Sequence, residues 1–180
     1  MLAVLRYDPK WVEYGYIDQQ SLLDQLLKYE SGSDENAEHH RYASFCGLLN
    51  RASIDDVMLE HFIELAVLDE DQAMAESALA ELVKHTGLTA QQLNHLKGHP
   101  AFASQLLQSV IEQTQLLSEL SSAGISDDLF NRCLFISKDS VQRKLLNKAE
   151  LSKEQLQALS EYGANRAIRN LAKEKLRKSS

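Results

Sequence analysis

Leu151-Ser152-Lys153-Glu154-Gln155-Leu156 decides how this chain is read, because the same opening recurs four times upstream of it. The earlier copies are Ile17-Asp18-Gln19-Gln20-Ser21-Leu22, Ile54-Asp55-Asp56-Val57-Met58-Leu59, Leu88-Thr89-Ala90-Gln91-Gln92-Leu93 and Ile125-Ser126-Asp127-Asp128-Leu129-Phe130. Each sets an apolar residue ahead of a short oxygen-bearing side chain: Asp18, Asp55, Thr89, Ser126 or Ser152. Such side chains accept hydrogen bonds from the free N–H groups of a helix's first turn. In two copies a glutamine stands three residues on, Gln92 and Gln155, as the reciprocal partner of a capping box. Leu22, Leu59, Leu93, Phe130 and Leu156 then start apolar stripes at helical spacing. Gly87 and Gly124 stand just before two of the openings, where a left-handed residue would end the preceding helix.

The openings at residues 17, 54, 88, 125 and 151 lie 37, 34, 37 and 26 residues apart. Periods of this size mark helix pairs stacked as a solenoid. The expected fold is all-α, a right-handed α-α superhelix of about nine to eleven helices in one domain over residues 1–180. The competing reading is five independent helix starts in an ordinary bundle. Ahead of the first opening, residues 1–16 hold Tyr7, Trp11, Tyr14 and Tyr16. These aromatics suit a cap that closes the open end of the stack, and alternatively a binding platform.

Composition agrees with a helical chain. Apolar residues make up 44% and charged residues 25%, while seven glycines and two prolines leave few breaks. The longest uninterrupted apolar run, Met1 to Leu5, is too short for a membrane span or a secretory leader. Cys46 and Cys133 lie far apart among apolar neighbours, which points to buried free thiols and a reducing, cytoplasmic setting.

Charge is divided unevenly. Residues 1–131 carry 7 Lys+Arg against 21 Asp+Glu, a balance of −14, and residues 132–180 carry 12 against 5, a balance of +7. Arg143 precedes Arg169 by 26 residues, the distance between the last two openings, so equivalent repeat positions carry an arginine. Arg166, Arg169, Lys173 and Arg177 share one face of the final helix, and Ile168, Leu171, Ala172 and Leu176 fall on another. Helix-dipole compensation accounts for the cations nearest the C-terminus and not for Arg143, Arg166 and Arg169. The five residues Arg143, Arg166, Arg169, Lys173 and Arg177 are therefore expected to face an acidic segment of another protein, self-association being one form of this.

Catalytic patterns are weak. His95 and His99, near His85 and Glu81, come closest to a metal set, but Gly98 and Pro100 flank His99 and take it off the helix. No two glycines are closer than eleven residues, which removes the glycine-rich phosphate loops. The expectation is a chain without metal, cofactor or catalytic residue.

The last two units resemble the leucine-rich-repeat-variant and HEAT/armadillo class of α-solenoids. The resemblance rests on Leu151-Ser152-x-x-x-Leu156-x-x-Leu159-Ser160 followed by Ile168-Arg169-x-Leu171-Ala172, and extends loosely back to residue 88. The turn asparagine and proline usual in variant repeats are missing, as is the cysteine cluster of their iron–sulfur module. The resemblance implies a protein-interaction scaffold. Two other readings follow from the same sequence: a HEAT-like nucleic-acid binder, opposed by a pI of 5.4 and the acidic first 131 residues, and an enzyme whose catalytic residues carry no recognisable pattern.

Overall fold

The first turn of a helix leaves N–H groups without partners, and the five openings meet that need as their sequence requires. Asp18, Asp55, Thr89, Ser126 and Ser152 each accept from the backbone N–H three residues on, at 2.7 to 3.2 Å. Gln92 and Gln155 complete capping boxes, their Oε1 atoms accepting from the N–H of Thr89 and Ser152 at 2.9 and 3.1 Å. The structure, a computed structural model, describes every residue except Ala52, Thr86, Ala123, Ser137, Ala149, Glu150, Ser179 and Ser180, and only the backbone of Arg51.

Among the described residues there are twelve α-helices and no strand. They are α1 (Leu2–Leu5), α2 (Lys10–Glu13), α3 (Gln19–Glu30), α4 (Ala37–Arg51), α5 (Asp56–Leu68), α6 (Gln72–Lys84), α7 (Ala90–Gly98), α8 (Gln105–Ser122), α9 (Asp127–Phe135), α10 (Asp139–Asn147), α11 (Lys153–Tyr162) and α12 (Arg166–Lys178). A 3-10 turn, Pro100–Phe102, precedes α8. The count exceeds the expected nine to eleven because the aromatic leader folds as two single turns, α1 and α2, broken by a left-handed Arg6 (φ 59°) and by Pro9.

The stripes are buried as their period predicts. Leu22, Leu59, Leu93, Phe130 and Leu156 are all buried, and Phe62, Leu96, Cys133 and Leu159, three residues on, are fully so. Each such leucine or phenylalanine stabilises by about 1.5–3 kcal/mol. Gly87 and Gly124 follow Thr86 and Ala123, so their expected role as helix stops lies outside the described residues. Left-handed glycines occur instead at Gly15 and Gly32, in the turns after α2 and α3. His40, whose sequence context suggests an exposed polar residue, is buried; its Nε2 lies 3.1 Å from the Asp34 carbonyl oxygen.

The chain divides into two compact units, Met1–Ile111 and Glu112–Ser180. The first has its core around Trp11, Phe45, Phe62, Leu82, Leu96 and Phe102. Its main packings join α1 to α3 and α4, α4 to α6, and α5 to α6. The second has its core around Leu120, Cys133, Val141, Leu145, Leu159 and Ile168, with α9 on α10 and α11, and α12 on α10 and α11.

Each unit contains the same clasp. Gln92 Nε2 donates to the Ile54 carbonyl and to Asp56 Oδ1 at 3.1 and 2.9 Å, tying the start of α7 to the start of α5. Gln155 Nε2 donates to Asp127 Oδ1 at 3.3 Å, tying α11 to α9 in the same way. In both, the capping-box glutamine of one opening reaches the first helical residue of the opening before it.

Candidate partner-binding surface

α12 separates its residues by helical geometry. Ile168 and Ala172 are buried in the second unit, while Arg166, Lys173 and Arg177 are exposed on the far side. At 100° per residue the three cations fall within about 40° of arc, and their row is about 16 Å long. None of the three has a hydrogen-bond or ion-pair partner among the described residues.

The other two arginines of the expected face already have partners within the chain, Arg143 in an exposed pair and Arg169 half-buried. Arg143 forks onto Asp139, Nε to Oδ2 at 3.2 Å and Nη2 to Oδ1 at 3.1 Å. Asp139 Oδ1 also accepts from Asn165 Nδ2 at 2.8 Å. Those bonds, Asn165 first and Arg143 second, hold the Asp139 carboxyl below the usual aspartate range. Arg169 turns back along its own helix and donates from Nη1 to the Gly163 carbonyl at 2.7 Å. The close approach leaves no room for a side chain at residue 163, where a Cβ would sit 2.6 Å from the Leu159 carbonyl oxygen and 2.8 Å from Ile168. The equivalent spacing of Arg143 and Arg169 thus serves two internal bonds, each fixing the start of a helix. Lys175 likewise donates to the Leu146 carbonyl, and Lys178 pairs with Glu174 at 2.7 Å.

Sequence reasoning missed a buried glutamine that organises the turn end of this unit. Gln142, on α10, is fully buried; its Nε2 donates to the Cys133 and Leu134 carbonyls at 3.3 and 2.9 Å, and its Oε1 accepts from Ala164 N–H at 2.7 Å. It satisfies carbonyls left open at the end of α9 and pins the turn between α11 and α12.

The four leading aromatics divide into two pairs. Tyr7 and Trp11 are buried, edge to face at 5.4 Å, with Phe45 4.7 Å beyond Trp11, so neither offers a free ring face to a ligand. The Tyr7 hydroxyl lies 2.7 to 2.9 Å from Ser44 Oγ, Gln25 Oε1 and the His40 carbonyl oxygen. Burial pushes its pKa up to about 12. Tyr14 and Tyr16 are partly covered by His61: Tyr14 stacks on it at 3.7 Å, and the Tyr16 hydroxyl lies 3.0 Å from its Nδ1. Tyr14 also donates to Glu64, which takes Lys10 as well, and these two partners hold the Glu64 carboxyl below its usual range, Lys10 the larger.

A second feature hidden from sequence is the buried ion pair Arg41–Asp69. Nε and Nη2 meet the two carboxylate oxygens at 2.8 and 3.0 Å, with both side chains 2% exposed. Arg41 Nη1 also donates to the Leu5 carbonyl, and Asp69 Oδ1 accepts from Asp71 N–H. One pair thereby joins α1, α4 and the α5–α6 turn.

His95 pairs with Glu60 at 2.7 Å, and His99 caps the 3-10 turn. Among the described residues no group of three or more His, Cys, Asp or Glu is placed to hold a metal ion, and no helix is long and apolar enough to cross a membrane. Cys46 and Cys133 are both free, and burial pushes the Cys133 thiol up to about 11. Compared with protein families, with curated proteins and with solved structures, the chain matches none.

Proposed function

We propose that the chain is a non-catalytic helical-repeat scaffold that holds an acidic segment of another protein against α12. The observation carrying this reading is the row of Arg166, Lys173 and Arg177, exposed on one side of a helix whose other side is buried. Three cations in line, without partners among the described residues, attract carboxylates at the same spacing, and Arg143, Arg169 and Lys175 are already taken by Asp139, Gly163 and Leu146. The helix pairs are read as one right-handed superhelix over residues 1–180. Within each unit, the glutamine clasp between consecutive openings supports the stacking of helix pairs. The two free thiols suit a reducing cytoplasm.

The test is fluorescence anisotropy with a labelled oligo-glutamate peptide and the full chain. Wild type is expected to bind at low salt and release as salt rises, since exposed charges are screened over about 8 Å at physiological ionic strength. Reversing Arg166, Lys173 and Arg177 to Glu should weaken binding by about tenfold or more while the far-ultraviolet circular dichroism is unchanged. Equal binding by the folded triple variant, or no binding by wild type, removes the reading.

A further inference from the structure

Large apolar side chains left in water mark surfaces that something else covers. In the second unit, among the described residues, just two are exposed, and both are aromatic: Phe135 at 80% and Tyr162 at 68%. Phe135 is the last residue of α9 and Tyr162 the last of α11.

The hydrogen bonds place these two rings at one end of the unit. Gln155 to Asp127 ties the beginnings of α11 and α9. Gln142 ties their ends, through the Cys133 and Leu134 carbonyls on one side and the Ala164 N–H on the other. The two helices therefore run side by side in the same direction, and packed helices stand about 8–10 Å apart. Two exposed rings at the same end of adjacent helices offer an apolar side chain of a partner a place to dock.

Cations without partners stand at that end. α10 and α12 begin there, with Lys138 and Arg166 exposed and without partners among the described residues. Of the acids nearby, Asp139 is taken up by Arg143 and Asn165, and Glu161 accepts from Gln157. Tyrosine and arginine are among the residue types that carry most binding energy in protein interfaces.

We infer that the turn end of the second unit, Phe135 and Tyr162 with Lys138 and Arg166, seats an apolar side chain of the acidic segment whose carboxylates then run along Arg166, Lys173 and Arg177. This rests on the reading of α12 above and adds a direction to it: the apolar residue comes first, and the acids follow for about 16 Å, some five residues of extended chain. A short protein segment fits better than a nucleic acid, because the −14 balance of residues 1–131 repels a long polyanion while a short segment needs only the cations of α12.

The experiment uses two labelled peptides of equal charge with the full chain: Leu-Phe followed by a run of Glu, and the same run led by Ser-Gly. The Leu-Phe peptide should bind about tenfold more tightly. Phe135→Ser with Tyr162→Ser should erase that difference and leave the Ser-Gly peptide's affinity unchanged, whereas Lys173→Glu with Arg177→Glu should weaken both peptides. Phe135→Tyr with Tyr162→Phe keeps two rings and should keep the difference. On wild type, the Leu-Phe peptide should move the NMR ring resonances of Phe135 and Tyr162, which needs no variant to fold. If both peptides bind wild type equally, the aromatic seat is wrong and the α12 reading stands. If neither binds, both fall. If an oligothymidylate binds through Phe135 and Tyr162 in place of the peptide, the seat serves bases and the inference is overturned.

Discussion

The two units use one construction and carry different balances of charge. Both tie consecutive helix pairs with a capping-box glutamine that reaches back to an aspartate, Gln92 to Asp56 and Gln155 to Asp127. Met1–Ile111 carries 7 Lys+Arg against 17 Asp+Glu, and of its few cations Arg6, Lys10, Arg41 and Lys84 are all ion-paired. Glu112–Ser180 carries 12 against 9, and leaves Lys138, Arg166, Lys173 and Arg177 without partners among the described residues. Charge bonded inside a fold specifies that fold. Charge left outside it, on a rigid helix and beside exposed rings, is available to a partner. Substitutions in the two units should therefore differ in kind, stability in the first and binding in the second.

The largest effect is expected at Arg41–Asp69. Removing one member of a buried pair strands the other charge, and Asp69→Ala should cost about 3–5 kcal/mol. Replacing both, Arg41→Met with Asp69→Leu, removes the stranded charge and should recover a good part of that loss. Urea unfolding of the three proteins measures this. A single substitution costing no more than an exposed pair would show that the first unit does not depend on its internal charges.

Next come the clasps. Gln92 is buried and all its polar atoms are bonded, two donors and an acceptor. Gln92→Ala leaves buried groups without partners and should cost about 1–3 kcal/mol. Gln155 is partly exposed, and its reach to Asp127 is a long 3.3 Å, so Gln155→Ala should cost roughly 0.5–1 kcal/mol, mostly as a lost cap partner. Equal losses would mean that both clasps act only as caps.

What the sequence made legible follows from the range of each interaction. A cap and its stripe lie within one or two turns, so all five openings and the buried Leu22, Leu59, Leu93, Phe130 and Leu156 were readable from spacing. The second role of Gln92 and Gln155 was not, because their partners lie 36 and 28 residues away. Arg41 reads as an ordinary helix cation until the fold brings Asp69, 28 residues on, against it. The matched spacing of Arg143 and Arg169 was visible, but whether a cation faces solvent or folds back onto a carbonyl depends on a rotamer that spacing does not contain. Phe135 and Tyr162 sit where a stripe ends, and periodicity says nothing of which way the last residue turns.

The smallest effect separates committed from free cations within the second unit. Asp139 is held below the ordinary aspartate value of about 3.9 by Asn165 first and Arg143 second. A depressed folded-state pKa contributes stability that is present above the unfolded value and is lost as pH falls through the folded one. Acidification below about pH 4 should therefore weaken the α10–α12 contact in wild type. Asp139→Asn should flatten that part of the stability profile. Carboxyl NMR should show Asp139 titrating below its neighbours, with Asn165→Ala raising it more than Arg143→Gln, in the order of the two bonds. Reversing Arg166 or Lys173, which have no hydrogen-bond or ion-pair partner among the described residues, should leave the titration nearly where it is. An Asp139 that titrates at the ordinary value would return Arg143 to the pool of available cations, and the acidic partner would then contact four residues in place of three, Arg169 staying on the Gly163 carbonyl.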